Sequence, residues 1–191
     1  MKKIISLFQR NYDGDRLVRD EIVPGAEWVI AGEGIATRKF DGTCCGILKG
    51  VLHKRYDAKH GKTPPVGFIP AQDFDPITGH MPGWLEVGNG NEDRWFREGC
   101  EHTFGDPFRG PDGTYELCGP KVQSNPEGYA VHTLVAHGSE KLPDAPRTFE
   151  AIREYLRPGH IEGIVWWHPD GRMVKIKAKD FGFQRSPVAM G

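Results

Sequence analysis

Lys39 opens the tetrapeptide Lys39-Phe40-Asp41-Gly42, a lysine followed two residues later by a carboxylate and then by glycine. A lysine amine is a nucleophile only when deprotonated, and a buried or cation-rich pocket favours that neutral form. Gly42 lets the backbone turn tightly beside it. Taken alone, the tetrapeptide reads more readily as a charged turn between two strands, and matching pieces downstream are what lift it. Further along, Glu116 is a lone carboxylate within Thr114-Tyr115-Glu116-Leu117-Cys118, either at an open sheet edge or facing a site that needs its charge. Glu162, Lys175 and Lys177 follow, in a stretch where a phosphate-binding face is an alternative to a solvated salt bridge.

These residues need strands to hold them. Ile161 to Trp167 and Arg172 to Lys177 read as a hairpin across His168-Pro169-Asp170-Gly171. With Pro169-Asp170 as a two-residue turn, Glu162 falls opposite Lys177 and Ile164 opposite Lys175. Alternation then puts Glu162, Lys175 and Lys177 on one face and Val174 and Ile176 on the other, and a slip of one residue would separate them. A second hairpin, residues 46 to 56 around Lys49-Gly50, leads from the lysine motif to Arg55. Arg55 is a candidate phosphate contact or a solvated arginine at a strand end. Further strands are expected at Val66 to Ile69, Trp84 to Val87, Thr114 to Cys118 and Tyr129 to Val135, and a short helix at Glu92 to Glu98. Pro146 to Leu156 predicts a helix, with Phe149, Ile152 and Leu156 as its apolar stripe, Asp144 or Thr148 as its cap and Pro158-Gly159 as its stop. Residues 1 to 36 read as short strands and loops.

Length and composition set the frame. At 191 residues, with 38% hydrophobic and 27% charged residues, the chain is expected to form one globular domain, with a loop-rich elaboration over about residues 61–113. No apolar run approaches the roughly 20 residues of a membrane span. The start, Met1 to Phe8, has too short an apolar stretch for a signal peptide, so a cytoplasmic location is expected. Net charge is −1, but from Arg172 onward five bases face one acid. Cys44, Cys45, Cys100 and Cys118 lack the paired spacing of a zinc site, and buried free thiols are the expectation.

Lys39-Phe40-Asp41-Gly42, Tyr115-Glu116-Leu117, Glu162-Gly163-Ile164-Val165 and Val174-Lys175-Ile176-Lys177 resemble motifs I, III, IV and V of the covalent nucleotidyltransferase superfamily. That superfamily holds ATP-dependent ligases and mRNA capping enzymes, and the four pieces fall in its order across most of the chain. Ser6-Leu7-Phe8, Asp41 to Cys45, and Gly119-Pro120 leading to Asn125-Pro126 are similar to the small 5′-to-3′ RNA ligases, including the vertebrate RNA ligase group. The resemblance implies an α+β, ATP-grasp-like nucleotidyltransferase domain of antiparallel sheets with few helices. No OB-fold domain is expected, since only residues 178–191 follow motif V.

It also implies an ATP-dependent RNA ligase. Lys39, within the catalytic motif that includes Asp41, would attack the α-phosphorus of ATP and form lysyl-AMP. AMP would pass to an RNA 5′-phosphate, and a 3′-hydroxyl would then displace it. Glu116 and Glu162 match carboxylates that contact ribose or hold Mg²⁺, with Mn²⁺ as an alternative. Lys175 and Lys177 match lysines that grip the α-phosphate and favour neutral Lys39, and Arg55 matches an arginine on phosphate or ribose. His132 lies where relatives place a ring against adenine, and as a lone strand histidine it reads equally as packing.

Two departures stand out. Thr37 and Arg38 occupy the nucleotide-facing places where many ligases carry a glutamate, and Arg38 cannot accept a hydrogen bond from the adenine amino group. Cys44 stands where DNA ligases place arginine, which weakens a DNA ligase reading. The expected partner is RNA with 5′-phosphate and 3′-hydroxyl ends, with no membrane and with room for a protein partner that supplies RNA docking. The alternatives are a nucleotidyltransferase with another acceptor, as in 5′-end adenylylation or capping, and a non-catalytic module that binds RNA ends or nucleotides.

Overall fold

The computed structural model describes residues 3–76 and 78–186. In chain order the elements are β1 (Ile5–Ser6), β2 (Phe8–Arg10), β3 (Val18–Ile22), α1 (Glu27–Ile30), β4 (Ile35–Lys39), β5 (Thr43–Leu48), β6 (Val51–Lys59), β7 (Ile69–Pro70), β8 (His80–Glu86), α2 (Arg94–Phe104), β9 (Gly113–Cys118), β10 (Thr133–Ala136), α3 (Phe149–Leu156), β11 (Gly163–Trp167) and β12 (Met173–Lys177). The class is α+β as expected: mostly antiparallel sheets with few helices. The one parallel pair among the described residues is β1 with β12. By their contacts the residues form two compact units, one of residues 1–3 and 42–137 and the other of residues 4–41 and 138–191.

The first unit is built on a six-stranded sheet in the order β10-β9-β5-β6-β8-β7. The hairpin around Lys49-Gly50 is present, with Leu48 opposite Val51 and positive φ at both turn residues, the geometry that suits strand twist. Cys45, Ile47, Leu52, Leu117 and Leu134 bury the sheet's inner face beneath α2, whose Cys100 is fully buried. Residues 61–113, expected as an elaboration, supply β7, β8 and α2 to this unit. The expected helix at Glu92 to Glu98 is present, opened by a 3-10 turn at Asn91–Asp93 and continuing as α2 to Phe104, longer than expected. The expected strands at 66–69 and 129–135 shrink to Ile69–Pro70 and Thr133–Ala136.

The second unit carries a four-stranded sheet in the order β1-β12-β11-β4 and a β2-β3 ribbon. β12 alternates Met173, Val174, Lys175, Ile176, Lys177, and its Val174 and Ile176 are fully buried, as the period of two requires. With Ile164 and Trp166 of β11 they form the core that α3 covers through Ile152 and Leu156. Phe149 of α3 meets Phe8 and Phe181 edge to face, with ring centroids 5.0 and 5.3 Å apart. Thr148 is the residue at the N-cap, although its side chain makes no capping hydrogen bond. Residues 1 to 36, read as strands and loops, also hold the single-turn α1.

The hairpin register differs from expectation by one residue. Lys177 lies opposite Gly163 and Lys175 opposite Val165, because five residues, His168 to Arg172, join the strands instead of four. Hydrogen bonds from His168 N to Arg172 O, 2.9 Å, and from Gly171 N to His168 O, 3.0 Å, close that longer turn.

Candidate active site

Three strands of the second unit bring the predicted cations together. Gly163 of β11 lies between Lys39 of β4 on one side and Lys177 of β12 on the other. Val165 lies likewise between Thr37 and Lys175. Residues directly opposite share a face, so Thr37, Lys39, Lys175 and Lys177 stand on one side of the sheet and Ile164, Trp166, Val174 and Ile176 fill the core on the other. A Cβ at Gly163 would sit 2.0 Å from Ile176 O, so only glycine lets β12 close here.

Glu162 stands one residue before β11, with its carbonyl accepting Ala178 N–H at 2.8 Å. From there its carboxylate bridges two of the lysines. Lys39 Nζ donates to Oε2 at 2.5 Å and Lys177 Nζ to Oε1 at 3.0 Å. The four charged groups thus converge despite the shifted register. Burial alone would raise the Glu162 ionisation, but the charges and hydrogen bonds of Lys39 and Lys177 outweigh it and hold the carboxyl below its ordinary range. Lys175 is pushed down to about 8, first by burial and then by the like charges of Lys177 and Lys39, against the opposing pull of Glu162 and Asp180.

The other predicted residues of this unit are held by their surroundings. Thr37, buried, donates its hydroxyl to Val165 O at 3.1 Å and accepts Trp167 Nε1–H at 2.8 Å. Arg38 pairs with Glu140 at 3.3 Å and lies over the Phe40 ring, 4.9 Å from its centroid. Asp41 is 3.9 Å from Arg185, a pairing that sequence spacing could not have revealed at a separation of 144 positions. Asp180, also unforeseen, is buried, accepts Lys177 N–H at 2.9 Å and pairs with Arg10.

In the first unit, Arg55 of β6 lies opposite Trp84 and stacks over its ring at 5.0 Å. Burial lowers its ionisation, against the opposing effects of Cys44 and Asp57. His132 is buried, 3.0 Å from Glu98 through Nδ1, and stacked on Trp95 at 4.5 Å between centroids, while its Nε2 accepts Lys121 N–H at 3.4 Å. Both ring nitrogens and one ring face are therefore engaged within this unit. Glu116 of β9 accepts Gly42 N–H on Oε1 at 3.2 Å and meets His137 Nε2 on Oε2 at 2.8 Å. Gly42 is needed here for space: a Cβ would lie 2.2 Å from Leu117 O and 2.9 Å from Glu116. Its φ is not in the left-handed region, so the tight turn expected at this position is a close approach instead. His137 was missed by sequence reasoning because no local pattern ties it to position 116.

The donor sets bear unequally on Mg²⁺. Glu162 offers carboxylate oxygens that both carry lysine partners, which fits a hard ion only in company with phosphate oxygens. Glu116 is flanked by the Cys44 thiol and the His137 imidazole, and sulfur and nitrogen donors do not fit a hard, oxygen-seeking ion.

Comparison with known proteins agrees with the family resemblance. A family model described as RNA ligase 1 matches residues 111–189. RNA ligase 1 of Danio rerio is 30% identical over 224 aligned residues, covering 81% of this chain and 69% of that protein. RNA ligase 1 of Rattus norvegicus and of Mus musculus are each 27% identical over 222 residues, covering 78% of this chain and 67% of theirs. The chain belongs to the RNA ligase 1 family. None of its described helices is long and apolar enough to cross a membrane.

Proposed function

We propose that this chain is an ATP-dependent RNA ligase with the ATP-grasp-like nucleotidyltransferase fold, joining 5′-phosphate and 3′-hydroxyl RNA ends through a lysyl-AMP intermediate. The observation that carries this reading is the placement of the Lys39 amine on one sheet face with Lys175, Lys177 and Glu162. A family of RNA ligases supplies the substrate class. Lys39 Nζ forms a bond to the α-phosphorus of ATP as the bond to pyrophosphate breaks. Glu162 Oε2, 2.5 Å from Nζ, is within reach of the proton the amine must lose. Lys175 and Lys177 meet the charge that develops on the α-phosphate, the electrostatic role that dominates phosphoryl transfer. An RNA 5′-phosphate oxygen then takes the AMP and frees Lys39. In the last step the 3′-hydroxyl attacks the 5′-phosphorus and AMP leaves. Mg²⁺ would bind with the nucleotide phosphates, Glu162 being the carboxylate of this face suited to it, and it would neutralise phosphate charge. The roles that the motif match gives to Arg55, Glu116 and His132 in nucleotide binding belong to the same proposal, and alanine variants of each test them in the labelling assay.

The test is intact-protein mass after incubation with ATP and Mg²⁺, followed by a chase with 5′-phosphorylated RNA. Gain of one AMP mapped to Lys39, lost on the chase as joined or circular RNA appears, is expected. Lys39→Arg keeps the charge but cannot shed its proton, so it should fold and never label. A gain that transfers without joining, or that prefers GTP, would instead mark another acceptor or a capping enzyme. No gain from nucleotide-free protein would leave a binding module.

A further inference from the structure

A second cluster of chemistry-bearing side chains lies wholly in the first unit, and three adjacent strands build it. Cys44 of β5 is directly opposite Glu116 of β9, and Val135 of β10 is opposite Glu116 on its other side. Opposite residues share a face, and His137 stands two residues beyond Val135, its N–H donating to Thr114 O at 3.0 Å. Cys44, Glu116 and His137 therefore project to the same side of the sheet. Their ligand atoms, a thiol sulfur, a carboxylate oxygen and an imidazole nitrogen, all lie within 4.8 Å of one another.

The ring and the carboxylate are already set for ligation. His137 Nε2 is 2.8 Å from Glu116 Oε2, yet Nδ1 of the same ring is buried and meets no hydrogen-bond partner among the described residues. The two ring nitrogens diverge, so Nδ1 can carry the imidazole proton while Nε2, facing Glu116, serves as the ligand. The Glu116 carboxylate is already oriented by Gly42 N–H on its other oxygen, the kind of outer support that ligating carboxylates receive.

We infer that Cys44, Glu116 and His137 form a binding site for a thiophilic divalent cation of the Zn²⁺ class. Bond lengths of about 2.3 Å to sulfur and about 2.1 Å to nitrogen and oxygen put tetrahedral ligand atoms roughly 3.4 to 3.6 Å apart. The observed spread is closed by side-chain movements smaller than about 1.5 Å, with no shift of the paired strands. Thiolate, imidazole and carboxylate together select zinc or cobalt over magnesium. On binding, the Cys44 thiol gives up its proton to solvent as the sulfur–metal bond forms, and the proton shared by His137 Nε2 and Glu116 Oε2 is replaced by one on Nδ1, freeing both atoms to ligate. Three protein ligands leave a fourth position for water. This site shares Glu116 with the proposed nucleotide contacts, but metal binding is read without ATP or RNA and so is tested independently of ligation.

The test is titration of metal-free protein with Co²⁺, read by the thiolate-to-cobalt charge-transfer absorption. One Co²⁺ per chain, displaced by Zn²⁺, is expected. Cys44→Ser should lose the band while keeping the wild-type melting curve. His137→Ala should weaken Co²⁺ binding at least about tenfold. Absence of a band in the wild-type protein, a band unchanged by Cys44→Ser, or unchanged affinity in His137→Ala would each overturn the site. X-ray absorption at the zinc edge of the wild-type protein gives a check that needs no variant. One sulfur near 2.3 Å with nitrogen and oxygen neighbours is expected. A shell with no sulfur, or with two or more, would place the metal elsewhere and sink the proposal.

Discussion

Lys175 is a cation that the fold holds at a cost, and the cost can be measured. Its ionisation falls from 10.5 to about 8 through burial and the repulsion of Lys177 and Lys39. Each pH unit between those values is worth about 1.36 kcal/mol, so the protonated side chain destabilises the native state by up to about 3 kcal/mol. Between about pH 8 and 10.5 the unfolded chain holds a proton that the native chain has lost, so stability rises with pH across that window. Below about pH 8 the whole cost is present. Lys175→Met keeps the apolar stem and removes the charge. It is expected to be more stable than wild type by up to about 3 kcal/mol at pH 7, the advantage shrinking toward zero near pH 10.5. Urea denaturation of both proteins at closely spaced pH values reads this directly. The same variant should lose most of its affinity for ATP, the signature of a residue kept for function against stability. A variant equal to or less stable than wild type at pH 7 would show that attraction to Glu162 outweighs burial, and a gap that does not change with pH would refute the reasoning.

Other substitutions probe the same face. Glu162→Gln leaves Lys39 and Lys177 without their shared anion and should cost about 3 to 5 kcal/mol in denaturant melts at pH 7. That deficit should diminish as pH falls through the lowered ionisation of the wild-type carboxyl, where stability from a depressed acid is lost. Gly163→Ala forces a methyl group to within 2.0 Å of Ile176 O and should cost at least about 3 kcal/mol and abolish AMP labelling, since β12 must move away. Thr37→Val removes the hydroxyl between Trp167 and Val165 and strands the Trp167 N–H. A loss of about 1 to 2 kcal/mol, with labelling retained, is expected from thermal melts and the mass assay.

The parts of this molecule that sequence made legible are those whose spacing is local. Val174 and Ile176 alternate with Lys175 and Lys177, and their burial follows from a period of two. Phe149, Ile152 and Leu156 recur at helical spacing, and α3 packs through them. What stayed hidden was set by pairing across the sheets. The Cys44–Glu116–His137 cluster needs β5, β9 and β10 to lie side by side, an order no stretch of the chain encodes by itself. The Asp41–Arg185 and Arg10–Asp180 pairs join the two ends of the second unit's sequence. α2 extends beyond its expected end because Gly99 and Cys100, poor helix formers, are buried where the helix meets the core that Trp95, Phe96 and Phe104 also pack against.

The hairpin shows why a wrong register still led to the right residues. A shift of one position should have turned Glu162 away from the lysines, since neighbouring strand residues face opposite sides. Two features of this chain prevent it. Glu162 lies before the first residue of β11, so the strict alternation of the ladder does not bind it, and its side chain is long enough to reach Lys39 and Lys177 at once. Gly163, which takes the place opposite both lysines, has no side chain to stand between them. Glu-Gly at the head of β11 is therefore a geometric unit: the glycine opens the space and the carboxylate fills it with charge. Reversing the order to Gly-Glu would put a side chain into the contact with Ile176 O and remove the anion that now bridges the two amines.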